Sequence, residues 1–517
     1  MNRSDFRSAP RRFGRGRGAR VALASLVCTG FVACAVGPDF HRPDPPAGES
    51  LLKPGQIDGA LEADGHAQHF SRQADLPAEW WKRFGSNDIN TLVEQALQNS
   101  PEILSAQATL RQSENSLRAG YGIFFPQIGA SVDVARQASL TNLPPPVGHG
   151  LAAVGPYNLG TFGANVRYVP DLFGGQRRTV EVLGAQVDLQ SYKLSATYLS
   201  LTSNIVNTEI ARTGYLAQRD ATRAIVHMLD DQIRVAQTQY EAGTGTYSAV
   251  LVLRTQQSVD EAALAALQQH VEETEHLLAQ LCGQTPMQFD APGEILEQIT
   301  LPGELPDNLP SSLARHRPDI LAAEAAVHAA SAQIGVATAD LFPSLTLGGT
   351  AGAGNSVISQ MLRTGTKFWS AQADLAGSLF SGGSQWYTRK AAIDAYDASL
   401  AQYESTVLVA LEQVADTMRA LDHDAQALRA EVEALASAEE NVKLTHANYE
   451  AGTAAYLDML TADLQYQQAR LGYLAAVAQR LQDTVALYAA LGGGWWNGGQ
   501  VVPQARVAGS TATGPKD

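Results

Sequence analysis

The chain has 517 residues, 45% hydrophobic and 17% charged, a composition that can bury a core and excludes a disordered protein. Its net charge of −15 excludes a protein built chiefly to bind nucleic acid, because phosphate recognition needs clustered Lys and Arg. Three cysteines exclude a disulfide framework and a multi-cysteine zinc site, and at about 100 to 200 residues per domain the length alone predicts three or four domains.

Residues 1–33 read as a signal peptide: seven arginines and one acid precede the apolar run Val21 to Ala33. Thirteen residues are too few to span a bilayer as a helix, which needs about 20. The run ends in Phe31-Val32-Ala33-Cys34, a lipobox-like ending in which Cys34 becomes the acylated first residue of the mature protein; Cys28 fits less well behind bulky Val27. Ala35 follows, not the Asp that favours inner-membrane retention. Loss of the seven arginines and one acid leaves the mature chain at −21. Cys282, near a predicted helix end, reads as a small buried hydrophobe.

Self-similarity replaces the several-domain expectation with one unit written twice. Pro101-Glu102-Ile103-Leu104 recurs as Pro318-Asp319-Ile320-Leu321 and Phe125-Pro126 as Phe342-Pro343, both 217 residues on. Leu172-Phe173 recurs as Leu379-Phe380 at 207, and Tyr240-Glu241-Ala242-Gly243-Thr244 recurs verbatim from Tyr449 to Thr453 at 209. The expected organisation is a lipidated extension over 34–87, a first repeat over 88–283, a linker over 284–311, a second repeat over 312–492 and a tail over 493–517.

Within each repeat the predicted order is helix, strand, strand, long helix, helix. The first helix runs from Pro101 to Phe125. Ile128, Ala130, Val132 and Val134 then alternate with polar residues, a strand with one apolar and one polar face. A second strand carries Phe162, Ala164, Val166 and Tyr168, with a Pro-rich loop at 143–146 between the two. In the second repeat the strand signals are Leu345 and Leu347, then a Gly-rich segment, Gly348 to Gly354, expected as a loop, then Trp369, Ala371, Ala373 and Leu375. Strands of about ten residues have the length of tilted transmembrane β-strands.

From Gly175 to Tyr240, and again from Ser384 to Tyr449, there is no proline, which predicts helical rods of about 66 residues and roughly 100 Å. Val407, Leu411, Val414, Met418, Leu421, Ala425 and Leu428 keep the 4-3 spacing of a coiled-coil seam, and Leu457, Leu460, Leu464, Gln467, Leu471, Leu474, Ala478 and Leu481 repeat it beyond the tip. The helices flanking each tip are therefore expected to pair as antiparallel hairpins, with Gly243 and Gly452 supplying the left-handed residue that ends each first arm. Four strands cannot close a barrel, and an open sheet edge cannot face lipid, so oligomerisation is expected. Two copies give eight strands with a filled interior and three give twelve with room for a lumen; periodicity leaves both open.

These residues resemble the outer membrane factor family, the TolC-like exit ducts, and in particular the NodT-type lipoproteins of resistance-nodulation-division efflux systems. The marks are Cys34-Ala35-Val36-Gly37-Pro38-Asp39-Phe40 with Pro43, Trp80-Trp81, the Tyr-Glu-Ala-Gly-Thr tips and Ala490-Leu491-Gly492-Gly493-Gly494-Trp495. The resemblance implies a mainly α protein with a membrane β-barrel: a homotrimer with a 12-stranded barrel in the Gram-negative outer membrane and a periplasmic coiled-coil tunnel. It implies a periplasmic adaptor protein at the tips, an inner-membrane resistance-nodulation-division pump, and efflux of small toxic compounds. A type I protein secretion duct is the alternative, which the NodT-like ends disfavour. By position, Tyr240, Gly243, Thr244, Tyr449, Gly452 and Thr453 lie in the adaptor-facing tips, and Leu457 and Asp458 where family members narrow the tunnel. Ala454 stands where some members carry a locking arginine, and Thr461 where many carry an acid. Leu457 also falls on the seam pattern and Asp458 also suits a helix cap, so packing and gating both account for them.

No enzymatic constellation emerges. Gly349 to Ser356 lacks the Lys-Ser/Thr of a phosphate loop, Asp422-His423-Asp424 reads as a solvated helix face, and the histidines show no metal spacing, so neither cofactor nor metal is expected.

Overall fold

A computed structural model describes residues 35–44, 61–71, 76–142, 151–306, 310–355, 357 and 366–497. The signal peptide, Cys34, the 143–150 loop and the tail from 498 lie outside the described residues. The chain folds as two compact units. One holds Asn115–Gly184 and His328–Asp397 with residues 35–41; the other holds Arg42–Glu114, Ala185–Val327 and the chain from Ala398.

The elements follow in chain order. Two short strands, β1 (Leu61–Ala63) and β2 (His66–Ser71), precede helices α1 (Asn87–Asn99) and α2 (Pro101–Gly120). Strands β3 (Gln127–Asn142) and β4 (Leu151–Tyr168) lead into the long helix α3 (Gly175–Glu241) and α4 (Tyr247–Leu281). After β5 (Glu304–Pro306) and α5 (Pro310–His316) come α6 (Pro318–Ala339), β6 (Ser344–Asn355), β7 (Thr366–Ala376), the second long helix α7 (Ser384–Glu450) and α8 (Tyr456–Ala490). The chain is mainly helical among the described residues.

The first unit carries an antiparallel sheet of order β3-β4-β6-β7. Its register places Val132 opposite Phe162 and Phe162 opposite Ala353, one apolar face, with Ser131, Gly163 and Gly352 on the other. Period-two patterning therefore sets the faces as expected. The strands are longer than expected, at 16, 18, 12 and 11 residues. The Gly348–Gly354 segment is a correction: it is strand, with Gly352 between Gly163 and Phe368. A Cβ at Gly352 would collide with the Phe162 carbonyl and stand 2.8 Å from the Phe368 ring, so close backbone approach requires glycine where propensity opposes a strand. The first helix is also shorter than expected: α2 ends at Gly120, and Tyr121–Phe124 form a 3-10 turn.

In the second unit the core joins Trp80, Phe84, Ile89 and Val93 to Ile205, Ile210, Leu278, Leu421, Leu481 and Tyr488. The Trp80 and Tyr488 rings lie 5.6 Å apart. Helix α4 ends against α1, where the Cys282 thiol lies 3.7 Å from the Leu92 carbonyl oxygen. Burial pushes that thiol up to about 11. Beneath the three-stranded sheet β1-β2-β5 sits Arg480, 1% exposed, its guanidinium donating to Gln68 Oε1 at 3.0 Å and to the Leu61 carbonyl. The seam from Val407 to Leu428 is buried apart from half-buried Leu411.

Asp422-His423-Asp424 is not a uniform solvated face. Asp422 accepts from Arg419 at 2.9 Å, whereas Asp424 is half-buried with one oxygen lacking a partner. Burial first, then Asp483 beside it, pushes Asp424 up to about 8.

Candidate functional site

Both tips are built by one backbone device. Gly243 and Gly452 adopt φ of 73° and 72° after the last turns of α3 and α7. Each donates its N–H to the tyrosine three residues earlier at 3.0 Å, Gly243 to Tyr240 and Gly452 to Tyr449. Thr244 and Thr453 then close the turn twice over. Their N–H groups donate to the Gln239 and Asn448 carbonyls at 2.9 and 2.8 Å, and their hydroxyls to the same carbonyls at 3.1 and 3.0 Å. This satisfies the carbonyls that a helix end leaves open, and only a residue tolerant of positive φ fits its centre.

The returning helices start differently. Thr246 caps α4, its hydroxyl accepting from Ala249 N–H at 3.3 Å. Helix α8 has Ala455 in the corresponding place, which offers no side-chain acceptor to the N–H three residues on; Asp458 instead reaches back and takes the Ala455 N–H at 2.9 Å. The carboxylate lies in the first turn, where it also suits the helix dipole. Leu457 is 63% exposed, and the packed stripe of α8 begins only at buried Leu460. Within the protomer Leu457 is therefore free of the seam that its spacing predicts.

Sequence reasoning missed the second tyrosine of each tip. Tyr240 packs its ring at a tilt against Tyr247 at 5.3 Å, and Tyr449 against Tyr456 at 5.7 Å. The signal was present, since Tyr247 and Tyr456 are themselves 209 apart and extend the repeated motif to Tyr-Glu-Ala-Gly-Thr-x-x-Tyr. Tyr456 also ties α8 to α3: its hydroxyl donates to the Gln232 carbonyl at 3.3 Å, and its ring packs beside the Ile225, Leu229, Ala236 and Leu460 cluster. Burial, aided by the charges of Tyr449 and Asp463, pushes its phenol up to about 12. Above it, 8% exposed Asp463 accepts from Gln232 Nε2 at 3.3 Å and pairs with His446 at 3.1 Å, joining α3, α7 and α8 through one carboxylate.

Tyr240, Gly243 and Thr244 thus share one turn and Tyr449, Gly452 and Thr453 the other, with Leu457 and Asp458 on the first turn of α8. Cys34 lies outside the described residues, but its neighbours are clamped. Val36 N–H donates to the Phe173 carbonyl at 3.0 Å, Asp39 pairs with Arg178 at 2.7 Å, and Phe40 stacks on His328 at 4.3 Å. Glu181 joins both sides, pairing with Arg178 at 2.7 Å and His328 at 3.1 Å, and the His328 hydrogen bond, then Arg178, holds its carboxyl below the usual carboxylate range.

Residues 92–284 and 309–493 match the outer membrane efflux protein family. The pyoverdine export outer membrane protein OpmQ of Pseudomonas aeruginosa is 25% identical over 446 residues, covering 86% of this chain and 93% of that protein. The toluene efflux pump outer membrane protein TtgC of Pseudomonas putida is 26% identical over 510 residues, 94% of this chain and 98% of that protein. The solved structure of the outer-membrane channel OprN superposes with a TM-score of 0.78 at 26% identity, covering 89% of this chain and all of OprN.

Proposed function

The chain belongs to the outer membrane efflux protein family, and from that premise we propose that it is the exit duct of a tripartite pump, passing small toxic organic compounds out of a Gram-negative cell. The observation that carries this reading is the sheet β3-β4-β6-β7, apolar on one face, polar on the other, and open at β3 and β7. Lipid tolerates the apolar face but not the unpaired edges. Three copies of a duplicated helix-strand-strand-long helix-helix unit give twelve strands, enough to leave a polar lumen that two copies would fill. The paired helices form the periplasmic tunnel. The chain conducts and the inner-membrane resistance-nodulation-division pump supplies the energy.

The Tyr240-to-Thr244 and Tyr449-to-Thr453 tips are the adaptor-binding surface. Their tightly closed turns offer a fixed backbone shape, and Tyr240 stands 45% exposed beside it. Leu457, exposed in the protomer, is the apolar narrowing of the tunnel, and Asp458, one turn-edge away and half committed to its cap, adds negative charge there. Acylation of Cys34 anchors the chain, and the Val36, Asp39 and Phe40 contacts hold that anchor against the protein. Small molecules as cargo accord with the pyoverdine and toluene for which two relatives are named.

The test is purification of the acylated protein and electrophoresis with and without heating. A heat-labile oligomer that reconstitutes into vesicles supports the reading, and a protein that remains monomeric in detergent and fails to insert overturns it.

A further inference from the structure

On the polar face of the sheet β3-β4-β6-β7, long side chains lie down over glycines of the neighbouring strand. A Cβ on Gly129 would stand 2.8 Å from Asn165 Oδ1, and one on Gly348 would stand 3.1 Å from Gln372 Cγ. In both pairs the covering side chain is polar and belongs to the residue directly opposite the glycine. Phe368 covers Gly352 in the same way, and its ring tip crosses β6 to within 3.9 Å of where a Cβ on Gly163 would stand. The row Ser131, Gly163, Gly352, Phe368 has no side chain between its two ends, so the ring rests over bare backbone. Between the row of Gln127 and the row of Asp133, every other position of this face holds Gly, Ser, Thr, Asn, Gln, Asp or Arg. Phe368 is the one apolar side chain there, and it is 41% exposed.

We propose that Phe368 is a specificity residue of the duct: planar aromatic compounds, organic cations foremost, stack on its ring as they leave and dwell there longer than ringless compounds of the same charge. An exposed ring on a protein surface is ordinary, but this one is set apart by its setting. Covering a glycine does not require an aromatic side chain, as Asn165 and Gln372 demonstrate two and four residues along the face. The two glycines fix where the ring lies, so the platform is formed before a compound arrives and little ordering cost is left to meet. An aromatic face attracts flat π systems and cations alike. Charge on the same face favours the cations, since Asp133 and Asp374 stand against Arg167. A stacking contact changes a dwell time by about three- to tenfold, which delays passage without trapping the compound. This rests on the duct reading, which makes the polar face the wall of the lumen, while the placement of the ring over its glycines is independent of it.

The test reads current through the purified full-length lipoprotein in a planar bilayer. One series has ethidium, a planar aromatic cation, on both sides, and a second has tetraethylammonium, a cation with no ring. Ethidium should produce blocks whose mean dwell time falls about three- to tenfold in Phe368→Ala and in Phe368→Leu and is kept in Phe368→Trp. Tetraethylammonium should behave alike in all four proteins, a contrast that a merely structural role for the ring would not produce. Phe368→Leu keeps an apolar cover on Gly352, so it carries the comparison should the alanine variant fail to assemble. Equal ethidium dwell times in the native and leucine proteins would overturn the proposal. So would a native pore that conducts and shows no ethidium block, or a fall for tetraethylammonium as large as that for ethidium. A native protein that inserts and passes no current at all would instead overturn the duct reading.

Discussion

Gly452 offers the cleanest perturbation of the tip, because its surroundings isolate the backbone contribution. Its φ is 72°, and a Cβ built there meets nothing within 4 Å. Gly452→Ala therefore adds no clash, only the cost of a left-handed L-residue, about 1–2 kcal/mol. At roughly 1.4 kcal/mol per factor of ten, the opened tip becomes about tenfold more populated. Gly452→Asn should cost less, since Asn tolerates this conformation. Gly452→Pro is worse on two counts: the ring fixes φ near −65°, and the N–H that donates to the Tyr449 carbonyl at 3.0 Å is lost. A cost of roughly 3 kcal/mol or more opens the turn over a hundredfold. Hydrogen exchange at Thr453 and Ala454, whose N–H groups bond to the Asn448 carbonyl, reads the opening directly, and drug susceptibility of cells carrying each variant reads efflux. The expected order of damage is Asn, Ala, Pro, with the heat-labile oligomer retained throughout. A Pro variant with native exchange and full efflux would refute both the turn energetics and the tip assignment.

Three further outcomes follow from buried charge. Glu209 and Arg212, 0% and 2% exposed and paired at 2.7 Å, cannot lose one partner cheaply: Arg212→Met should destabilise by roughly 3–5 kcal/mol in thermal unfolding, and the double variant with Glu209→Leu should recover much of it. Asp424, raised to about 8 by burial and Asp483, contributes stability present below the ordinary Asp value near 3.9 and lost as pH rises through about 8. Asp424→Asn should abolish that loss in unfolding titrations, and an unchanged pH profile would overturn the assignment of the loss to Asp424. Glu181 has the opposite sign. Held low by His328 and then Arg178, it stabilises the clamp above the ordinary Glu value near 4.3 and releases it as pH falls through its lower folded value, so proteolysis near Phe40 should rise in acid, and Glu181→Gln should flatten that rise.

The parts legible in the sequence were those that a single periodicity or a single residue type dictates. Proline-free stretches gave the long helices α3 and α7 to within a residue, and the positive φ of Gly243 and Gly452 followed from their place after a helical run. Where a neighbour decides, local pattern misled. Glycine is a poor strand former, but the Phe368 ring lies over Gly352 and 3.9 Å from where a Cβ on Gly163 would stand, covering the backbone that the missing side chains leave bare. Leu457 fitted the heptad, yet Tyr456 takes the packing place by reaching Gln232 on α3. Asp424 sits beside seam residues Leu421 and Ala425, so the phase of α7, not its polarity, turns it toward Asp483. The sheet β1-β2-β5 had no signal at all, because strands of three, six and three residues carry too little period and His69 pairs with Glu304 across the length of the first repeat. The Gln232-Asp463-His446 group was equally silent, its members coming from three helices.

The central claim is that this chain closes into a conducting pore, and current across a planar bilayer tests it most directly. Purified acylated protein, native and Gly452→Pro, should insert as discrete conductance steps, larger and longer-lived in the variant whose tip is loosened. Oligomers of both forms that enter the bilayer and pass no current would contradict the account.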